Sequence, residues 1–384
     1  MFSKKYVLSL LLSALAVIMG SCTKEDTNDC FSGLRLKFDF TLHNNGGNKF
    51  GDEVNRVRVY MFDEQGILQL KATDDTRTLT YSYLLNGEVK TVSMPNPFGA
   101  LPDNYVMNLE VPPGKYKVVA WGGSTLTTES MFFDAHMNDP ITHDYQEGVT
   151  LGVTKMEDFR MFMKYNYAPD LPEDIVPIVP EIDDLWYGAY GTRNETTSKY
   201  TMKDVTIRNG QFTETGIELI KNTNILKVTI TGFENILALE GSRGSRATAP
   251  LNTWVTAVNG RYKIDNSIGE NARSVRYTPH SEQINANQML VDIKMMRIDL
   301  DKHKAQPMFL TIENSVTGKK FPEQPIDIVN TLMQAKDASG NYIYNNQVDF
   351  DREYEHPIEI RIDIDLEVRV FVRGWEIITV KPEV

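Results

Sequence analysis

The sequence predicts an all-β protein of two tandem sandwiches, on three observations. The first is the run "IEIRIDIDLEVRVFVRGW" at 358–375, where Ile358, Ile360, Ile362, Ile364, Leu366, Val368, Val370 and Val372 occupy successive even positions. A strand sends alternate side chains to opposite faces, so this period gathers the apolar groups on one side and Glu359, Arg361, Asp363, Asp365, Glu367 and Arg369 on the other. A helix would scatter the same residues around its circumference. The second is the recurrence of shorter alternating runs, separated by turn dipeptides, through both halves of the chain. The third is the scarcity of helical period, which is clear only in "IDIVNTLMQAK", where Ile328, Val329, Leu332 and Met333 share a face.

Taken in order, "GLRLKFDFTLHNN" alternates Leu34, Leu36, Phe38 and Phe40 with Arg35, Lys37 and Asp39, and "VNRVRVYMFDEQG" repeats the pattern with Val57, Val59 and Met61. "TLTYSYLLNGEVKTVSM" reads as a hairpin about Asn86-Gly87, a dipeptide suited to the positive φ angles of a type I′ turn. "NLEVPPGKYKVVAWGG" reads as an up-and-down pair turning at Pro113-Gly114, and "TWVTAVNGRYKI" as a turn at Asn259-Gly260. Between about 124 and 190 the pattern loosens into irregular, Pro-rich text, with one short helix expected near "TKMEDFRMF". The expected divisions are a signal peptide over 1–21, a tether over 22–32, a first sandwich over 33–200 and a second over 201–384. No Gly or Pro interrupts the terminal ribbon before Gly374. It spans roughly 50 Å at about 3.3 Å per residue, so it must bend, reach past one sheet or pair with something else. It is read as the last core strand of the second sandwich, without an internal hairpin, with pairing of part of it to a neighbouring subunit as the alternative.

Composition bounds function. The hydrophobic content of 41% is that of a chain with ample core, and the net charge of −12, with no basic stripe, argues against a nucleic-acid partner. At the N-terminus Lys4 and Lys5 precede an apolar stretch from Tyr6 to Met19, then Gly20, Ser21 and Cys22. The stretch is short for a bilayer span and right for a secretory signal. Cys22 after two small residues resembles a bacterial lipobox, so it is the expected acylation site and mature N-terminus. Removal of 1–21, with its two lysines, takes the net charge to −14. "TKEDTND" follows as a polar tether, in which Lys24-Glu25-Asp26 resembles an export signal to the outer face of the outer membrane. Acylation of Cys22 leaves Cys30 without a partner, so no disulfide framework or cysteine-based zinc site is expected.

Catalytic signatures are missing. There is no G-x-S-x-G elbow, and Gly318-Lys319 lacks the earlier glycine of a phosphate loop. Asp134, His136, Asp139, His143 and Asp144 cluster in loop text without a spacing that would hold a metal. Asp337 to Asn341 reads as a turn rather than a calcium loop. The chain is expected to need no cofactor or metal and to bind or assemble rather than catalyse. Trp186, Tyr187 and Tyr190 form an aromatic knot that is the candidate glycan contact, with core or seam packing as the alternative.

Several stretches, in order, resemble one family, the FimB-like anchor and minor-subunit proteins of type V fimbriae: Cys22 and Cys30 ahead of "LRLKFDFTLHNN", then "VNRVRVYMFDEQGIL", "VPPGKYKVVAWGG", "DDLWYG", "IELIKNTNILKVTITGF", "MRIDL", "PMFLTIEN", "DFDREYEHPIEIRID" and "VFVRGWEI". The resemblance implies two Greek-key, transthyretin-like sandwiches on a lipid anchor at the outer membrane. It implies fimbrial shaft or other fimbrial subunits as partners, met by β-strand complementation. Nine residues follow Trp375, few for a donor extension, so an anchor or accessory subunit is expected rather than a shaft subunit. A surface glycan-binding lipoprotein, with a glycan or host ligand as partner, is the alternative function.

Overall fold

The computed structural model describes residues 32–381 except 44–45, 97–98, 124–130, 135–147, 164–175, 180–181, 240–250, 270–271 and 286. Cys22, Cys30, His136, Asp139, His143 and Asp144 lie outside the described residues. The fold is two packed β-sandwiches, as expected.

In the first sandwich the labelled strands are β1 (Gly33–Asp39), β2 (Arg56–Phe62), β3 (Leu68–Asp74), β4 (Thr78–Leu85), β5 (Glu88–Pro95), β6 (Val106–Glu110), β7 (Gly114–Gly123), β8 (Leu185–Ala189), β9 (Val205–Ile207) and β10 (Phe212–Glu218). One sheet runs β10-β1-β6; the other runs β8-β7-β2-β3-β4-β5, with Ile220–Lys221 outside β8 and β9 against β7. Leu34, Leu36 and Phe38 of β1 meet Val57, Val59, Val118 and Ala120 across a buried core. That is the period-two pattern doing what the alternation predicts. Asn86 and Gly87 carry φ of 53° and 82°, the positive angles a I′ hairpin needs, and β4 and β5 pair directly across them.

The turn at Pro113-Gly114 is not a hairpin. β6 pairs with β1 and β7 with β2 and β8, so the two prolines carry the chain from one sheet to the other. The exit from the first sandwich also falls later than composition suggests. β9 and β10 pair with β7 and β1, and Ile217 and Leu219 join the first core. Gly188 permits that closure, because a Cβ there would lie 2.5 Å from the carbonyl oxygen of Glu218. Conversely, Ile178–Val179, from the first half of the sequence, pairs with a strand of the second sandwich.

The second sandwich comprises β11 (Thr223–Thr231), β12 (Leu251–Val258), β13 (Ser274–Tyr277), β14 (Gln288–Met296), β15 (Phe309–Asn314), β16 (Glu355–Ile362), β17 (Val368–Val372) and β18 (Trp375–Val380). Ser281–Ile284 leads the sheet β14-β11-β16-β17-β18, and β13-β12-β15 lies between Ile178–Val179 and Ile326–Asp327. Helices α1 (Leu300–Ala305), α2 (Ile328–Met333) and α3 (Gln347–Arg352) are short. α2 is the amphipathic helix the sequence predicts, with Ile328, Val329 and Leu332 buried. Near "TKMEDFRMF" there is a turn and then the strand Arg160–Met163 instead of a helix, and Asn259-Gly260 joins two strands of different sheets.

The terminal ribbon is not one strand. β16 ends at Ile362, and the chain turns at Asp363–Glu367 and returns as β17. Asp363 N donates to Glu367 O at 2.9 Å, and Leu366 takes a φ of 64°, a left-handed conformation adopted here without glycine or asparagine. Ile364, on the predicted apolar face, is 84% exposed at the turn. The alternation holds within each arm; a hairpin inside it carried no composition signal.

Candidate functional site

Three features bear on what this fold can do: how the N-terminal strand is held, which sheet edges are open, and which clefts could hold a ligand. β1 is the most tightly held of the terminal elements. Seven residues pair in parallel with β10, and five pair antiparallel with β6. Leu34, Leu36, Phe38 and Phe40 are each at most 1% exposed. Ser32, just before β1, accepts from Val111 N through its carbonyl and from Gly210 N through Oγ.

Among the described residues, three of the exposed sheet edges differ in how they are defended. β5 is exposed almost throughout, carries Glu88 and Lys90 and ends in Pro95. Ser281–Ile284 is only four residues long. β18 presents Trp375, Ile377, Ile378, Thr379 and Val380 with Glu376 as its one charge, and Trp375 is 43% exposed. Natural edges are blunted by charge, proline or brevity, and β18 uses these devices least.

The aromatic knot is not a surface. Trp186 and Tyr187 are both fully buried, which removes them as glycan contacts. They sit on opposite faces of β8, and each face is covered. Trp186 faces the first core, with Phe40 edge-on at 5.9 Å, while Tyr187 faces a second core with Trp121 at 4.9 Å, its hydroxyl donating to Ile264 O. The long sheet of the first sandwich is thus covered on both faces around β8, β7 and β2, the outer face by Phe159 against Tyr60 and Phe62. Tyr190 is half-buried against the first core.

Beside the knot lies an ionic seam. Lys221 is 5% exposed, pairs with Glu53 and Asp184, and lies 4.1 Å from the Tyr354 ring centroid; Lys294 of β14 reaches the same Asp184. A lysine so enclosed is tolerable only with such partners.

A polar cleft of about 330 Å³ opens nearby. One wall is the hairpin loop Thr196–Tyr200, which belongs to the first half; the other is built from Asp265–Ser267, Arg297, Asp299–Asp301 and Asn345–Gln347. At its floor Arg297 donates through Nε and Nη2 to Asp351 at 2.6 and 3.0 Å, and Gln347 Nε2 donates to Asp351 and to Ile298 O. Burial alone would pull the Arg297 guanidinium down, but the adjacent Asp351 charge and its hydrogen bonds hold it above its ordinary value. Ser198 and Asn266 both belong to the lining and carry φ of 53° and 65°, a left-handed conformation that costs a serine about 1 kcal/mol or more.

Two buried histidines lie in the same half. Burial pushes His303 down to about 4 and His356 down to about 3. Unfolded histidines take up protons near pH 6.5 while these stay neutral, so stability is present above that value and lost as pH falls toward 4. The expected slope is about 1.4 kcal/mol per pH unit for each histidine. Urea midpoints measured from pH 7 to pH 4 should show it, and His356→Gln should remove about half of the histidine contribution.

None of the cleft or ion-pair residues could have been picked from the sequence. Arg297 and Asp351 are 54 positions apart, and the lining residues belong to ordinary turn text such as "DNS" and "YNNQ". Among the described residues no group of acidic, histidine or cysteine side chains could hold a metal.

A family model for the fimbrillin-A associated anchor proteins Mfa1 and Mfa2 matches residues 26–381. The chain belongs to that family. Mfa2-type architecture is also what solved structures show. The fimbrial anchor protein Mfa2 from Porphyromonas gingivalis matches with a TM-score of 0.54 at 14% identity, over 91% of this chain and 99% of that one. A Bacteroides thetaiotaomicron protein described as a candidate polysaccharide binder matches with a TM-score of 0.61 at 18% identity, over 91% and 98%. A candidate adhesin from the same organism matches with a TM-score of 0.59 at 16% identity, over 91% and 98%. At these identities the likeness is one of fold. No curated protein sequence matches this Mfa2-family chain significantly. Membership makes it a fimbrial component whose partners are other fimbrial subunits.

Proposed function

We propose that this chain is a non-enzymatic anchor or accessory subunit of a type V fimbria. It is tethered to the outer membrane through acylated Cys22, exposed at the cell surface, and joined to the shaft by β-strand complementation. The placement of β1 is the observation that carries this reading. A pull transmitted from Cys22 would enter β1 at Gly33, and freeing the strand would require breaking its ladders to both β10 and β6. Extraction would also expose Leu34, Leu36, Phe38 and Phe40, at about 2 kcal/mol or more for each. A strand so held secures the body to its lipid. It also fills the position at which a donor strand could otherwise enter, so the shaft must use another edge.

β18 is that edge. Main-chain hydrogen bonds to an added strand supply strength, and Trp375, Ile377 and Thr379 on alternate positions supply specificity. Lysines defend a strand edge against pairing. The double variant Trp375→Lys, Thr379→Lys changes two exposed positions and should leave the thermal midpoint within a few degrees of wild type. Capture of purified shaft polymer should fall at least tenfold, about 1.4 kcal/mol. Undiminished capture by the folded variant would remove β18 from the assembly.

A further inference from the structure

The first sandwich gathers exposed apolar side chains at the end where the chain enters it. We propose that this end is a membrane-contact surface, laid on a lipid bilayer with Leu85, Val89, Val153 and Phe212 dipping into the headgroup boundary. What brings the body to a bilayer is the proposed acylation of Cys22; the surface itself is read from the fold.

Strand pairing fixes which residues share that end. β1 begins at Gly33, level with Phe212 at the start of β10 and Glu110 at the end of β6. The crossing 111–113 delivers the chain to Gly114, the first residue of β7, which pairs with Ile207 at the end of β9. From there the ladder steps through Lys117 to Phe62 at the end of β2, then to Leu68 at the start of β3, and so to the β4–β5 hairpin about Asn86-Gly87. The turn 150–154 caps the start of β3, since Gly152 N donates to Leu68 O and Leu68 N to Thr154 O at 2.8 and 2.9 Å. Leu85 and Val89 flank the hairpin, Val153 lies in that turn, and Phe212 opens β10. Each is between 36% and 69% exposed, whereas among the described residues of this sandwich Met94 is the one large exposed apolar side chain at the opposite end.

Exposed apolar groups gathered in one place mark protein or membrane contacts. Here the route of the chain favours a bilayer. Ser32 adjoins Gly33, so the residues leading from Cys22 arrive at this end, and ten peptide units reach at most about 35 Å. β10 runs parallel to β1 and ends at Glu218, at the opposite end, and β11 of the second sandwich starts just beyond it at Thr223. Resting on the entry end therefore keeps the junction between the sandwiches away from lipid. The four side chains stand on three separate connections instead of along one strand edge, which suits a broad, yielding surface. Charge does not oppose the contact, although the whole chain stands at −12. Glu64, Glu88 and Glu157 are paired with Lys115, Lys90 and Lys155. Arg35 lies 5.0 Å from the Phe212 ring centroid, and Arg208 is exposed in the turn before it, so anionic headgroups would meet cations. Loop tips of this size orient a tethered body without holding an untethered one, because one weak membrane signal gives marginal binding.

The test places the mature Cys22→Ala chain, with a histidine tag at its N-terminus, on vesicles of phosphatidylethanolamine and phosphatidylglycerol that carry a nickel-chelating lipid. Amide hydrogen exchange is the readout. The tag supplies attachment whether or not Cys22 is acylated in cells, so a negative result bears on this surface alone. Segments 85–89, 150–154 and 208–212 should exchange more slowly on vesicles than in solution, on the order of tenfold, with 281–284 and 315–318 of the second sandwich unchanged. Val89→Asp with Val153→Asp sets two charges against the lipid at exposed positions. That variant should lose the slowing and keep its thermal midpoint within a few degrees of wild type. Four results would overturn the proposal: no slowing at the three segments, equal slowing across the second sandwich, slowing that survives in the variant, or slowing produced by purified shaft polymer and not by vesicles.

Discussion

Replacing Cys22 with Ala should release this protein and its fimbriae together into the medium. The effect is expected to be near complete, because acylation of Cys22 is the proposed attachment; among the described residues no helix is long and apolar enough to cross a bilayer. Each buried CH₂ of an acyl chain contributes about 0.8 kcal/mol, so two or three chains anchor stably and none leaves a soluble body. Between Cys22 and the start of β1 at Gly33 the sequence is mostly polar. In the proposed role, tension between shaft and membrane would pass through one acylated cysteine and one central strand. Fractionation of cells into membrane and medium, with both protein and shaft followed by immunoblot, reads the outcome. Retention of both on Cys22→Ala cells would refute anchoring through that residue.

Asp351→Ala should be the most destabilising single change at the cleft. Asp351 is 3% exposed and accepts from Arg297 twice and from Gln347 once. Truncating it strands a buried guanidinium and one Gln347 donor hydrogen. Removing one partner of a buried pair typically costs 3–5 kcal/mol, whereas replacing both partners with apolar groups of similar volume is often neutral. At about 2–4 °C per kcal/mol for domains of this size, the single variant should melt roughly 10 °C lower. The double variant Arg297→Met, Asp351→Leu should recover most of that loss. Calorimetry of the three proteins checks it, and a single-variant shift under 2 °C would show that water already reaches the pair.

The period-two text was legible because burial on one face of a strand leaves its imprint on every second residue. β1 and both arms of the terminal ribbon were readable in this way, as was the Asn86-Gly87 hairpin. The ribbon's own turn was not. Asp363–Glu367 reverses the chain with Leu366 at positive φ, a conformation imposed by Asp363 and Glu367 pairing across the turn rather than invited by the residue. The same limit applies to Pro113-Gly114 and Asn259-Gly260, where turn chemistry marks a reversal but not the sheet that receives the chain. Trp186 and Tyr187 misled for a related reason. Consecutive aromatics on a strand point to opposite faces, and only tertiary packing decides whether both faces are covered. The cleft left no trace in sequence because its walls converge from segments around 198, 266, 299 and 346, each an ordinary turn or helix start alone.

The most direct test of the attachment claim is immunogold labelling of whole cells and of sheared fimbriae with antibody to this chain. A single cluster at the membrane-proximal end of each fimbria is the predicted result, with sheared shafts carrying label at one end or none. Label spaced regularly along the shafts would show a polymerising subunit instead and would contradict the account.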